Sequence, residues 1–372
     1  MKRFTAIITR IMAMLLIVTM ISKIVSADQT QDSAQIQEKS QNKRQVGAFP
    51  VVFYSDETKL AGGGAAQIVF GDESERFSSS VGVIGFYTQK SQYSFGFGPE
   101  VYLKNGTYKM TGDFGYLYFP DTFFGIGNNT IKDDEENYTG RLYRIKPVIQ
   151  RKIYPNLFVG VQYDYAYGKL IKTENGGQLE RGLVPGSKGG GVSGIGVNLT
   201  WDSRDNNLYP VSGSFHQFSA SSYGSVLGSD FDFNSYLLDL RHYRQIFGKH
   251  IIAFQGVASI NSGRPSFQFM NNNSSLGMYL RGYSQTRFVD RNVVAFQAEY
   301  RMPLYWRFGL VAFAGFGQVA DKIGNMEFDE FKPSAGLGLR FALIPEQKVN
   351  LRIDIGVGKD DGSFDINIME TF

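Results

Sequence analysis

VNLRIDIGV, residues Val349 to Val357, alternates without a break. Its odd positions are Val349, Leu351, Ile353, Ile355 and Val357; its even positions are Asn350, Arg352, Asp354 and Gly356. One face is apolar and the other is polar or empty, the period-two pattern of a strand with different surroundings on its two sides. From Val293 to Phe372 the chain reads as five strands of this kind, ending on an aromatic residue.

Working outward, the N-terminus explains where such strands would go. Lys2, Arg3 and Arg10 precede an apolar run from Ile11 to Ile21, and Val25-Ser26-Ala27 supplies small residues for cleavage. That run is shorter than the roughly 20 residues a spanning helix needs, so residues 1–27 read as a secretory signal and not as a membrane anchor. Residues 28–59 begin with a polar, Gln-rich stretch (Asp28 to Arg44) that cannot bury a core and is expected as a periplasmic tail. Gly47 to Lys59 adds a short apolar element, expected to dock under or inside the barrel.

Residues 60–372 break into short amphipathic segments separated by turn residues. They begin at Ala61–Gly71, include a weak one at Phe124–Ile131, and end at Ser363–Phe372; sixteen are counted. An even count with short turns at one end and long loops at the other suits a single-chain barrel with both termini in the periplasm. Tyr154-Pro155-Asn156 and Ile344-Pro345-Glu346 are the tight turns; 172–191 and 263–290 are the long loops. The expected fold is all-β, a 16-stranded antiparallel transmembrane β-barrel. Alternation also occurs in soluble sandwiches and propellers, but the export signal and the lack of long helical periodicity favour the barrel. The strongest strands carry no charge on the apolar face, where one would cost about 2–4 kcal/mol near the midplane.

Composition excludes several function classes. Taking Lys2, Arg3, Arg10 and Lys23 from 38 basic residues leaves 34 against 35 acidic ones, so the mature chain is near neutral and nucleic acid is not an expected partner. The chain has no cysteine, which removes disulfides, thiolate metal sites and a lipidated cleavage site. The three histidines, His216, His242 and His250, stand apart and give no metal spacing. Gly189 to Gly194 matches GxGxxG formally but opens a strand, not a helix. No nucleophile elbow is present, and no enzyme, cofactor or metal is expected. Asp133 to Glu136 reads as a solvated acidic run.

Three further pieces carry a resemblance. WDSRDNNLYPVSG (Trp201 to Gly213), LRGY (Leu280-Arg281-Gly282-Tyr283) and the closing run AEYRMPL, GLGLR, LRIDIG and Phe372 together resemble the BamA/TamA family of outer-membrane assembly proteins, the bacterial surface antigen family. The resemblance implies that the LRGY loop folds into the lumen and that Arg281 pairs with wall carboxylates. Glu299, which shares a face with Gln297 and Arg301, is the best acceptor. Where the family's F-x-D-x-G motif has its aspartate, this chain has Gly315, so either Glu299 suffices or another lumenal carboxylate such as Asp354 compensates. An ordinary solvated loop arginine is the alternative. Phe372 corresponds to a terminal aromatic read during assembly, although Glu370 interrupts the apolar face of Phe364, Ile366 and Ile368; an interfacial aromatic is the compatible simpler reading.

Residues 28–59 are too short for a POTRA module, so a barrel-only member is expected. Inward residues should include Arg144, Lys146, Asp164, Gln297, Glu299, Arg301, Arg340, Arg352 and Asp354, of both signs, giving no charge-selective pore. The function implied is insertion or translocation of protein or lipid at the outer membrane, through a weak seam between a first strand at Ala61–Gly71 and strand sixteen. A passive channel or structural surface protein is the alternative. Outer-membrane lipids, client outer-membrane proteins and assembly machinery are the implied partners of a monomer.

Overall fold

A computed structural model of the chain describes residues 45–55, 59–70, 77–368 and 370–372. The residues read as a signal and the whole polar stretch from Asp28 to Arg44 lie outside the described residues. Among the described residues, sixteen strands form one antiparallel sheet in sequence order, a β-barrel. They are β1 (Gln45–Ser55), β2 (Lys59–Phe70), β3 (Ser79–Thr88), β4 (Tyr93–Leu103), β5 (Tyr108–Phe123), β6 (Glu136–Tyr154), β7 (Leu157–Lys172) and β8 (Gly190–Asp202). Then follow β9 (Gly213–Tyr223), β10 (Phe233–Phe247), β11 (His250–Gly263), β12 (Asn292–Pro303), β13 (Phe308–Ala320), β14 (Lys332–Ile344), β15 (Val349–Gly358) and β16 (Asp361–Ile368). Two short helices, α1 (Phe267–Asn273) and α2 (Leu276–Tyr279), lie in the loop between β11 and β12. No helix among the described residues is long and apolar enough to cross a membrane.

The total of sixteen agrees with the sequence reading, but two strands differ. Phe124–Ile131 is not a strand. Gly125 and Gly127 take positive φ (92° and 123°), which bends the chain out of the sheet. Asn128 is then turned to donate to Glu330 in another loop. The missing strand is supplied at the other end: Gln45–Ser55, expected as the end of a tail and a docking element, pairs along its length with β2. Its sequence is interrupted by Pro50, which cannot donate to a ladder and is tolerated on an edge strand. The glycine run Gly62-Gly63-Gly64 therefore lies in the second strand, between β1 and β3. Gly63 is required there, since a Cβ would strike Gly85 O and Phe86 Cα.

Outward positions are apolar and open to the surroundings, as at Val161 (63% exposed) and Val197 (57%). On β6 the outward row Tyr143, Ile145, Pro147 and Ile149 lies between Arg141 and Arg151. Ten residues at about 3.3 Å each span roughly 33 Å, or about 25 Å across a bilayer for a strand tilted near 40°. That matches the apolar band a membrane barrel presents to lipid. The long loops 124–135, 173–189, 264–291 and 321–331 lie at the end opposite the tight turns 155–156, 248–249 and 345–348, and mark the extracellular side.

The buried apolar clusters lie where loops meet the wall. Phe267, Met270 and Val289 of the 264–291 loop pack with Phe123, Tyr138, Leu179 and Val184. Leu276, Leu280, Tyr283 and Phe288 pack with Val293, Ala295 and Val319. The two edges of the sheet also approach each other, β1 against β14 and β16 against β2. Val69 of β2 packs with Ile344 and Val349 of the β14–β15 hairpin.

Candidate functional site in the barrel lumen

The loop 264–291 folds inward and is held at its far point by LRGY. Arg281 Nη1 donates to Asp354 Oδ2 at 3.0 Å, and Nη2 lies 2.6 Å from Glu299 Oε2, an ion pair too bent to form a hydrogen bond. Nη2 also reaches Gln297 Oε1 at 3.5 Å. The guanidinium carbon lies over the Phe313 ring, 3.7 Å from its centroid. Strand parity explains the convergence: Gln297, Glu299 and Arg301 alternate inward on β12, Phe313 on β13, Arg340 on β14, and Arg352 and Asp354 on β15. The carboxylates thus lie on the wall and the loop brings the cation to them.

The network is larger than one arginine. Arg301 Nε donates to Glu299 Oε1 at 2.6 Å. Arg340 donates to Asp354 Oδ1 at 2.5 Å and to Glu370 Oε2 at 2.7 Å. Arg352 donates to Asp354 Oδ2 at 3.1 Å and to Thr371. Four arginines share three carboxylates, and the carbonyl oxygens of Pro210 and Phe372 accept two more N–H groups of Arg301, at 3.2 and 2.7 Å. Buried charges of this kind persist only when paired and hydrogen-bonded. Across the lumen, Lys146 pairs with Asp164 and Arg144 with Asp113.

Glycines on the inner wall form the slot the loop occupies. A Cβ on Gly315 would lie 2.5 Å from Leu280 Cδ1, and one on Gly317 2.5 Å from Leu276 Cδ1. On β15, a Cβ on Gly356 would lie 2.6 Å from Gly282 N, and one on Gly358 would strike the Tyr283 ring. Gly282 itself has φ +104°, a conformation open to glycine. The position where the family has an aspartate is therefore filled by Leu280, and Asp354 is the second carboxylate on Arg281. Tyr283 Oη donates to Pro333 O at 2.6 Å and accepts from Lys359 N at 2.9 Å. Gly282 N donates to Ser363 Oγ, and Ser284 donates twice to Asp361 Oδ2. All four LRGY residues thus meet the β12–β16 wall, and the loop holds β16 from inside.

Phe372 lies elsewhere than on the lipid interface. The chain leaves the sheet after Ile368, and Phe372 is buried against Tyr243 of β10 and Ala253 of β11. This corrects the interfacial reading and removes the difficulty of Glu370, which is on no strand face and instead binds Arg340 and Asn350. The WDSRDNNLYPVSG segment crosses the periplasmic mouth. Asp202 receives the Arg204 fork at 2.6 and 2.9 Å, and Asp205 and Asn206 each accept two backbone N–H groups. Pro210 then presents its carbonyl to Arg301. Phe313, Glu370 and Thr371 were not assigned to the site from sequence. The F-x-G-x-G spelling was the signal for Phe313; the other two follow from the turn after β16.

An all-antiparallel barrel with an arginine-bearing loop drawn into its lumen defines the class: a bacterial outer-membrane β-barrel protein. The chain belongs to the Omp85 superfamily, whose outer-membrane barrels serve insertion and translocation; the model of the Omp85 superfamily domain matches residues 75–367. No curated protein sequence matches significantly. Among solved structures, BamA from Haemophilus ducreyi lacking POTRA domains 1–3 is similar with a TM-score of 0.54 and 13% identity, covering 89% of this chain and 70% of that one. CdiB from Acinetobacter baumannii is similar with a TM-score of 0.52 and 11% identity, covering 87% of this chain and 59% of that one. At these identities the likeness is one of fold, and the chain spans less than two thirds of the CdiB length. The resemblance to a BamA/TamA-like barrel read from LRGY and the closing strands agrees with these matches.

Proposed function

We propose that this barrel inserts or translocates protein or lipid at the outer membrane through the junction of its first and last strands, and not through its lumen. The observation that carries this is the docked loop. With Arg281 buried between Glu299 and Asp354, and Pro210 and Phe372 gathered on Arg301, the lumen is occupied from both ends. The junction is the weaker boundary. Pro50 interrupts the donors of β1, the glycine run of β2 supplies little side-chain packing, and β16 has only eight residues. The seam lies at β1, one strand earlier than Ala61–Gly71. Phe372 serves during assembly as a terminal aromatic and afterwards as part of the lumenal network.

A Cβ on Gly47 would lie 3.7 Å from Leu343 Cβ, within disulfide range. A Gly47→Cys/Leu343→Cys pair, in a chain with no other cysteine, should staple β1 to β14. Oxidised protein is expected to lose complementation of a deletion strain and client insertion into liposomes, and reductant should restore both. Full activity of the oxidised form would sink the seam.

A further inference from the structure

We infer that the outer face of β5–β7 binds a lipid whose phosphorylated headgroup carries a net negative charge, in the extracellular leaflet, with Arg141 and Lys169 holding the headgroup above a tyrosine terrace. Register aligns three outward rows across these strands. The uppermost runs Tyr87–Tyr93–Tyr118–Arg141–Lys169. The next runs Phe95–Tyr116–Tyr143–Tyr167, and the third Phe97–Phe114–Ile145–Tyr165. From the loop end toward the bilayer centre the wall passes from cationic, through phenolic, to apolar, the order a lipid molecule presents from phosphate to chain. No carboxylate stands in the three rows. Arg141 lies over the Tyr118 ring at 5.8 Å, and its Nε is buried without a hydrogen-bond partner. Lys169 is exposed beside it.

The terrace is preorganised. Tyr93 and Tyr116 stack at 5.4 Å with hydroxyls 3.4 Å apart, and Tyr116 meets Tyr143 edge-on at 4.6 Å. Farther down the same strands, an outward groove of about 680 Å³ opens between Pro147, Ile149, Val161, Tyr163, Ile195 and Val197. Pro147 is six residues beyond Arg141, roughly 20 Å along the strand and so close to chain depth for a lipid whose phosphate sits at Arg141. A cationic pair at headgroup level on β6 and β7, and below it a mainly apolar groove that starts on those strands and continues across β8 to β10, fit one amphiphile.

The test uses the full chain in detergent, incubated with lipid A or phosphatidylcholine, with retained lipid counted by native mass spectrometry. The unmodified protein should retain lipid A over phosphatidylcholine, and Arg141→Gln/Lys169→Gln should cut that preference about thirtyfold, since each of the two cations near a lipid surface contributes on the order of 1 kcal/mol. Arg141→Lys should keep most of it, and Val161→Trp, which fills the groove, should weaken retention with both cations intact. Heat-modifiable gel migration checks that each variant is folded. Equal retention by the folded double variant would overturn the proposal, as would displacement of the lipid by inorganic phosphate, which would mark a free-anion site.

Discussion

Arg281 meets two carboxylates and an aromatic face at once, and each contact asks something different of the side chain. The charge is needed by Glu299 and Asp354, while the flat guanidinium is needed by Phe313. Arg281→Ala should therefore destabilise the barrel by roughly 3–5 kcal/mol, as loss of a buried ion-pair partner does. Arg281→Lys should fall between, keeping charge and losing the stack. Urea unfolding in detergent, with trypsin cleavage of the 264–291 loop as a second readout, measures both. Gly315→Asp makes the opposite case. It restores the residue the family motif carries, yet Leu280 occupies that space, so a cost of about 1–3 kcal/mol is expected from overpacking. A stabilised Gly315→Asp protein would mean that the loop can re-anchor on a third carboxylate. Arg281 and Glu299 were legible as partners through the family resemblance of LRGY, and the parity of Gln297, Glu299 and Arg301 on one strand put Glu299 on the inner face to receive it. Arg340 and Arg352 were legible only as inward residues, because which carboxylate an inward arginine meets depends on register across strands, which no single strand encodes.

Elements were legible in proportion to their alternation. β15 and β7 declare themselves, whereas β1 is interrupted by a proline and follows a polar stretch, so its apolar residues resembled a docking segment. Phe124–Ile131 carries apolar residues at strand spacing, but two glycines at positive φ turn it into a loop that ties to its neighbours. That loop reaches 321–331 through Asn128 and Asn129, both donating to Glu330. These donors, Asn129 first, hold the Glu330 carboxyl below its ordinary value of 4.5. A depressed folded-state pKa stabilises the tie fully above the unfolded value, and the gain is lost as pH falls through the folded one. Protection factors in 124–135 and 321–331, with the intrinsic pH dependence of amide exchange divided out, should therefore be unchanged from pH 7 to 5 and fall below about 4.5. Glu330→Gln should remove that pH dependence.

For the whole molecule, the barrel wall was legible from alternation, and of its filling only the inward LRGY loop was, through the resemblance; the inward turn after β16 was not. Composition and spacing describe a cylinder; they do not say that loops from one end and a turn from the other will meet inside it. With both in place, planar-bilayer recordings should show little steady conductance, and Arg281→Ala should raise it by releasing the loop. A large, stable current from the unmodified protein would instead favour a passive channel.

The inward turn of residues 370–372 has a bearing on timing. Arg340 and Arg301 receive part of their compensation from Glu370 and from the main-chain oxygen of Phe372, groups that lie beyond the last strand and come in only after β16 has been laid down. Until they arrive, the interior holds cations with too few acceptors, whatever strands have already paired. Wall and contents are thus finished by the same few residues, so a chain halted three residues early would fail as an interior before it failed as a sheet.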